Sequence, residues 1–222
     1  MDKRQAVLAG ALTVFARDGY ARASIDVIAA EAQVSSRTIY NHFQDKAGLF
    51  RAVIQDSAER VAAAQLQIVD RCLRRITDLE ADLVEFGIAW RTPMPDYAEH
   101  SALVRQVNAE AGHIPEEAID AWQKTGPLAV RRALADRFNT LADEGLLDFE
   151  DPMRAALHFS LLISGANPSY PRGRMTPDEI RETVISGVHT FLHGCGARPA
   201  TVERRTNKGL GHNFASAHDV GH

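Results

Sequence analysis

Cysteine is scarce in this sequence, and long apolar runs are absent. The two cysteines, Cys72 and Cys195, lie far apart in the chain, so free thiols are expected rather than a scaffold held by disulfides. No run of about 18 uncharged apolar residues appears, which excludes a membrane-spanning helix. The N-terminus, Met1-Asp2-Lys3-Arg4, leads into an amphipathic helix instead of the apolar segment of an export signal. We therefore expect a soluble, cytoplasmic protein.

The common motifs of enzymes are also missing. The sequence has no Walker loop, no His-Glu-x-x-His and no Gly-x-Ser-x-Gly. Gly209-Leu210-Gly211 does not follow a predicted strand, so it is not a nucleotide-binding fingerprint. We therefore expect neither enzymatic activity nor a cofactor.

What the sequence does contain is apolar periodicity at helical spacing. With 222 residues, of which 45% are hydrophobic, the chain is long enough to bury a sizeable core. No segment shows strand alternation over more than a few residues, which predicts an all-α fold. Predicted helices cover residues 3–17, 25–32, 36–43, 46–70, 76–90, 98–111, 115–124, 128–144, 152–164 and 177–194.

The stretch Val34–Phe43 has the pattern of a recognition helix. Ser35 is a good N-cap, and Ile39 and Phe43, four residues apart, form an apolar face. The opposite face carries hydroxyls, a guanidinium, an amide and a phenol, which suit phosphates and base edges. The residues of this polar face are Ser36, Arg37, Tyr40 and Asn41.

Two shorter helices precede this stretch and give a helix-turn-helix arrangement. Gly19 is predicted to end the first helix, and Ser24 is a natural N-cap for the second. Residues 1–50 carry six basic and five acidic side chains, a balance of +1, whereas the whole chain carries −4. The remainder is therefore acidic, which fits an N-terminal unit that binds DNA and a second unit with another task.

These motifs resemble the TetR family of bacterial transcriptional regulators. The resemblance rests on residues 15–20, 24–32, 34–43 and 45–46, and the later part of the chain looks like the C-terminal domain of the AcrR or AefR-like branch through residues 105–115, 145–147 and 151–156. It implies an all-helical homodimer whose C-terminal domain binds a small molecule. Gln33 and Arg37 stand where the family often has glycine. A left-handed Gln33 would cost roughly 1 kcal/mol.

On this basis we predict a helix-turn-helix domain over residues 1–46, a ligand-binding and dimerisation domain over 47–195, and a flexible tail over 196–222. The predicted function is sequence-specific transcription regulation, by a repressor that a small apolar or aromatic ligand releases from a palindromic operator. The alternative is a ligand-carrying or structural helical bundle that has lost DNA binding. The helix over 46–70 would connect the two domains and convey the effect of the ligand.

The predicted DNA contacts lie in and beside the recognition helix. Arg37 suits guanine and Asn41 suits adenine in the major groove, and family similarity implies phosphate contacts for Tyr40 and Lys46. The alternative is that these residues only form the exposed face of a surface helix and do not contact DNA. The full predicted set is Ser24, Ser36, Arg37, Thr38, Tyr40, Asn41, His42 and Lys46.

Four aromatic residues of the second domain, Phe86, Trp90, Trp122 and Phe159, are candidates for the lining of a ligand pocket. Aromatic residues at helical spacing are more often plain core. His100 and His113 could add polar contacts to a ligand, although surface positions suit them equally.

The last two helices carry apolar stripes that predict dimerisation through a four-helix bundle. The interface residues would be Ala156, Phe159, Ile163, Val184, Val188 and Phe191. His189 and His193, four apart on the final helix, could hold a metal with Cys195, but two ligands do not make a site and no carboxylate has matching spacing. We therefore predict no metal, and an inert thiol at Cys195.

Overall fold

A computed structural model describes residues 2–165 and 175–194 of the chain. Its regular structure in these ranges is entirely helical, which confirms the predicted fold class. The α-helices are α1 (Lys3–Arg22), α2 (Ile25–Glu31), α3 (Ser36–Phe43), α4 (Lys46–Leu73), α5 (Leu79–Arg91), α6 (Ala98–Ala109), α7 (Glu116–Thr125), α8 (Pro127–Asp143), α9 (Pro152–Ser164) and α10 (Pro177–His193), with 3₁₀ turns at Pro95–Tyr97 and Ala111–His113. Cys195 and the predicted tail over 196–222 lie outside the described residues.

Side-chain caps determine where several helices begin. The hydroxyl of Ser24 accepts a hydrogen bond from the Val27 amide, and the carboxylate of Asp45 accepts one from the Gly48 amide. Each cap satisfies a backbone N–H that the first turn of a helix leaves without a partner. Thr176 begins α10 with a complete capping box, in which the Glu179 side chain bonds back to the cap.

Helix α1 extends further than the periodicity predicts. Gly19 interrupts it with φ of 81°, but helical structure resumes and continues to Arg22. The Ala23 amide then donates to the Gly19 carbonyl, which closes this last turn. Only glycine adopts such a φ without strain, so the residue predicted to end the helix breaks it instead.

Two hydrophobic cores hold the helices together. The first joins α1, α2, α3 and the beginning of α4 to α6 and α7, through Leu103 and Trp122 among others. The second joins the end of α4 to α5, α8, α9 and α10. The first core therefore includes residues on both sides of the predicted boundary at residue 46, and the division of the chain at that point stays a prediction.

The second core contains most of the side chains predicted to form the dimer interface. Phe159, Ile163 and Val188 are at most 1% exposed within a single subunit, and Phe191 packs against the same core. Ala156 and Val184 are equally buried. The prediction was therefore wrong for the five buried residues, because helices of their own chain cover them, whereas Phe191 is only partly buried and stays a predicted interface residue. The exposed apolar residues on the same two helices are Leu161, Leu162 and Ile185.

Candidate nucleic-acid interface and ligand cavity

Helix α3 is anchored on one side and free on the other. Ile39 and Phe43 are buried in the first core, as the sequence predicts. Ser35 caps the helix by accepting from the Thr38 amide, and Ser36 donates its hydroxyl hydrogen to the Asp26 carboxylate on α2 at 2.7 Å. Gln33 adopts the left-handed φ of 54° in the turn between α2 and α3. These contacts fix the orientation of α3 against α2.

The outward face of α3 carries the side chains with the strongest capacity for base contacts. Arg37, Tyr40, Asn41 and His42 are exposed, and Tyr40 as a whole residue is 51% exposed. Among the residues that the structure describes, the Arg37 guanidinium makes no ion pair or hydrogen bond. A capped helix therefore presents a guanidinium and an amide one turn apart, and each of these groups can make a bidentate pair of hydrogen bonds with a base edge.

Three other predicted contacts are engaged in holding the motif. Ser24 caps α2, Ser36 bonds to Asp26, and the Thr38 hydroxyl lies 2.9 Å from the Ser35 hydroxyl. A hydroxyl oxygen has lone pairs to spare, so these groups keep some capacity at the margin of α3. Their described contacts are nevertheless structural.

The structure assigns Lys46 a different role from the predicted phosphate contact. Its Nζ donates to the carbonyl oxygens of Tyr20, Ala21 and Ala23 at 3.0, 3.4 and 3.1 Å. The ammonium group also lies 4.7 Å from the centre of the Tyr20 ring. An ammonium has three hydrogens to donate, and all are directed at the end of α1. Lys46 therefore ties the start of α4 to the end of α1 in this structure, and its phosphate contact stays a prediction.

Replacing Lys46 by methionine is expected to lower stability. The change removes three charge-assisted hydrogen bonds but keeps the length of the side chain, so we expect a loss of about 1–3 kcal/mol in the free energy of unfolding. Urea denaturation of the two proteins measures this difference. Arg51→Met, at an exposed position on the same helix, is the control and should cost much less. Unchanged stability together with an equal loss of affinity for all DNA sequences would instead support the predicted phosphate contact of Lys46.

A cavity of about 510 Å³ lies among α4, α5, α6, α7 and α8. Trp90 and Trp122, two of the four residues predicted to line a ligand pocket, lie in its lining. Phe86 and Phe159 do not, since both are 0% exposed and stack on each other within the second core. The pocket prediction was therefore wrong for these two residues, for which the plain core interpretation was correct. His100 lines the cavity, whereas His113 is exposed on the 3₁₀ turn after α6.

The charged side chains in the cavity lining are basic, and they lie among neutral polar residues such as Gln65, Tyr97 and Ser101. Arg91 and Arg131 both lie in the lining. Burial lowers the pKa of Arg91, although a guanidinium stays charged at neutral pH. The indole Nε1 of Trp122 is buried and has no hydrogen-bond acceptor among the described residues. An unsatisfied buried donor of this kind carries a free-energy cost within the protein.

His100 connects two of the helices that enclose the cavity. Its Nδ1 lies 2.8 Å from the Ser57 hydroxyl on α4. Burial lowers the pKa of His100, and the charge of Arg60 lowers it further. The imidazole is therefore neutral at neutral pH, and it forms an uncharged hydrogen bond between α4 and α6.

Helix α6 connects the cavity directly to α1. Glu99 accepts from the Thr13 hydroxyl at 2.7 Å, and Glu110 accepts from the Ala21 amide at 3.0 Å. The Glu110 carboxylate also occupies the space that a side chain at Gly19 would need. Sequence reasoning missed these carboxylates, because neither belongs to a motif and each bonds to a residue more than 85 positions away.

The fold and the exposed face of α3 define a class of protein, the helix-turn-helix DNA-binding proteins in which further helices follow the DNA-binding motif. Two family models match the chain: bacterial regulatory proteins of the tetR family over residues 7–53, and the C-terminal domain of AefR-like transcriptional repressors over residues 83–196. The chain belongs to the TetR family of transcriptional regulators, which are not enzymes.

Individual proteins show the same similarity. The HTH-type transcriptional activator FasR of Mycolicibacterium smegmatis is 29% identical over 145 residues, and this match covers 65% of the chain but only 62% of FasR. A TetR-family regulator from Mesorhizobium loti matches in structure with a TM-score of 0.74 and 25% identity, covering 86% of this chain and 95% of that one. The flavonoid-responsive regulator FrrA matches with a TM-score of 0.60 and 27% identity, covering 89% and 98% respectively.

A membrane-spanning segment is not found among the helices that the structure describes, because none is both long and apolar enough.

Proposed function

We propose that this protein is a dimeric repressor that reads a near-palindromic operator through α3 and leaves it when a small molecule enters the cavity. The observation that carries the proposal is the exposed face of α3, with Arg37 and Asn41 on a helix fixed by Ser35, Ser36 and two buried apolar residues. A regulator of this kind acts on chromosomal DNA, and hence in the cytoplasm. Repression is proposed rather than activation, because the C-terminal family model is that of AefR-like transcriptional repressors, whereas FasR is an activator.

In this proposal two copies of α3 enter successive major grooves about 34–36 Å apart, so the operator repeats with twofold symmetry. Arg37 and Asn41 contact base edges, and His42 lies beside them. Tyr40 binds a phosphate, and Ser24, Ser36 and Thr38 add contacts at the margin. Lys46 joins this set if its ammonium exchanges a carbonyl group at the end of α1 for a phosphate.

The two subunits meet through α9 and α10. The proposed contact uses the outer face of these helices, where Leu161 is 60% exposed and Ile185 is 42% exposed. Leu162 lies beside them at 36% exposure. Large apolar side chains that stay accessible on neighbouring helices favour a partner of the same kind, because a twofold interface lets one patch bury its own copy.

The proposed ligand has an apolar or aromatic body and an acidic or hydrogen-bond-accepting group. Trp90, Trp122 and Val130 supply the apolar contact, and Arg91 and Arg131 supply the donors. This differs from a purely apolar ligand, because two guanidinium groups in the lining favour a negative charge. FrrA is named for its response to flavonoids, which are aromatic and rich in oxygen, and this fits the same chemistry.

Release of DNA requires that the ligand favours a dimer with wrongly spaced copies of α3. The connecting helix α4 contributes Ala58, Val61 and Gln65 to the cavity, which supports its proposed part in coupling. Helix α6 offers a second route, because it lines the cavity at His100 and bonds to α1 through Glu99 and Glu110.

The proposed function is tested by selecting bound fragments from genomic DNA and measuring their affinity by fluorescence anisotropy. We expect a sequence with twofold symmetry that binds at least about 1,000-fold more tightly than random DNA at physiological salt. Compounds that raise the melting temperature are then added to the complex, since a true effector must both stabilise the protein and weaken operator binding. A reporter gene behind the operator distinguishes repression from activation. Equal binding to all sequences would favour the alternative of a helical bundle without a regulatory site.

Replacing Trp122 by phenylalanine is expected to weaken the response to the effector while operator affinity without ligand stays unchanged. The smaller phenylalanine ring removes part of the apolar surface that Trp122 contributes to the lining, so the ligand should lose about 5- to 10-fold in affinity. Arg131→Gln should weaken an anionic ligand by a similar factor or more. Arg132→Gln, at the exposed neighbouring position, is the control. Equal responses in all four proteins would place the effector elsewhere.

A further inference from the structure

Two histidines and a glutamate from different helices converge at one end of the second core. Nδ1 of His189 lies 3.6 Å from one carboxylate oxygen of Glu80, and Nε2 of His193 lies 3.7 Å from the other. The two imidazole rings are 4.7 Å apart between their centres. The candidate ligand atoms of all three residues lie within 4.8 Å of one another. The sequence left this pair of histidines without a carboxylate, and folding brings one from another helix.

The backbone beneath these side chains is well fixed. Asp78 caps α5 by accepting from the Ala81 amide, and the Asp82 carboxylate accepts from the Thr77 and Asp78 amides. Glu80 therefore projects from a first turn that is held from both sides. His189 and His193 lie four residues apart on α10, so they share one face of that helix.

The packing of α5 against α10 keeps the two halves of this cluster in register. A side chain at Gly87 would lie within 2.6 Å of Cγ1 of Val184, so glycine is what lets the two helices come this close. Gly87 is seven residues after Glu80, and Val184 is seven residues before the midpoint of the two histidines. The two helices are thus antiparallel. The same number of residues separates the close contact from the cluster on each helix.

We propose that Glu80, His189 and His193 form a binding site for a zinc ion or a similar divalent transition metal. Two imidazole nitrogens and one carboxylate are a known protein ligand set for Zn²⁺, with water in the fourth position. Tetrahedral bonds of about 2.0–2.1 Å place neighbouring ligand atoms about 3.3 Å apart, which small rotations of exposed side chains reach from the present distances. Calcium and magnesium do not suit the site, because they prefer oxygen ligands.

A metal in this site would join α5 to α10. Helix α5 also contributes Trp90 and Arg91 to the cavity, and these residues lie roughly 16 Å along the helix from Glu80. The proposed metal therefore fixes the far end of a helix that forms one wall of the ligand cavity. The site itself needs neither DNA binding nor an effector.

The test uses the full chain without an affinity tag, treated with a chelator and then titrated with zinc in a calorimeter. We expect saturable binding of one zinc per chain. Glu80→Gln, His189→Gln and His193→Gln should each weaken this binding at least about tenfold. His158→Gln, which changes an exposed histidine of α9 outside the cluster, should bind zinc like the unaltered protein. Excess zinc should also raise the melting temperature of the unaltered protein, but not that of Glu80→Gln.

Two results would overturn the proposal. One is the absence of saturable zinc binding by the unaltered chain. The other is zinc binding of unchanged affinity in all three substituted proteins, which would locate the metal at other residues. Circular dichroism of each variant checks that helix content is retained, as expected for substitutions of exposed side chains.

Discussion

Replacing Leu161 by arginine should convert the protein into a 24.4 kDa monomer and abolish tight binding to the operator. Leu161 is 60% exposed on the outer face of α9, so the arginine costs the isolated subunit little. Across a twofold interface the same substitution places two new charges close together and leaves them without water or a partner. Ile185→Arg, on the outer face of α10, should have the same effect.

Loss of the dimer should weaken operator binding far more than the loss of any single contact. Once one recognition helix is bound, the second binds as an intramolecular event, and this advantage is about 100- to 10,000-fold. Sedimentation at micromolar protein concentration measures the mass, and anisotropy with operator DNA measures the affinity. Val188→Arg is unsuitable for this purpose, because Val188 is 0% exposed and an arginine there would unfold the subunit.

The control for this prediction is Leu66→Arg, which introduces the same charge at a 38% exposed leucine of α4. That protein should remain dimeric and bind the operator normally. A dimer that survives both Leu161→Arg and Ile185→Arg would show that the subunits meet through another surface. A monomer that binds the operator as tightly as the dimer would contradict the proposed twofold arrangement on DNA.

The helix-turn-helix could be predicted closely because its signals are local. Ser24, Ser35 and Asp45 each cap a helix within three residues of the amide they bind. Ile39 and Phe43 repeat at the spacing of one helix turn, and both are buried. Neither feature depends on distant parts of the chain, so the pattern of residues 34–43 was sufficient to place α3 and its free face.

The dimer surface could not be predicted from the same kind of pattern. An apolar stripe indicates that a helix face is covered, but not whether its own chain or a second subunit covers it. Phe159 and Val184 are covered by their own chain, because α5 and α8 pack over them and α9 and α10 pack against each other. Leu161 is an apolar residue outside the periodic stripe of its helix, and this was the one feature of the sequence that indicated a second apolar face.

The role of a charged side chain also could not be predicted from the sequence when its partner lies far away along the chain. Lys46 belongs to the family motif, yet its ammonium binds carbonyl groups more than 20 residues earlier. Glu80 has no special sequence context, and its neighbours His189 and His193 are more than 100 residues away. Such pairs depend on the packing of helices against each other, which residue spacing along the chain does not encode.

Replacing Arg37 by alanine should weaken binding to the operator by about 1–3 kcal/mol and relax the preference for one base pair in each half-site. The guanidinium is exposed and makes no described contact within the protein, so its removal leaves the fold and the orientation of α3 intact. The loss then reports a contact with DNA alone. Random DNA should lose much less, because the bidentate fit to guanine exists only at the preferred sequence.

Tyr40→Phe provides the contrast, since it removes a proposed phosphate contact and keeps the ring. It should weaken operator and random DNA by similar factors. Arg105→Ala, at an exposed position on α6, controls for the loss of one positive charge. Affinities measured on operators with each base pair changed in turn locate the position that Arg37 reads. If Arg37→Ala weakens operator and random DNA equally, Arg37 binds phosphate, and Asn41 becomes the leading candidate for base readout on this face of α3.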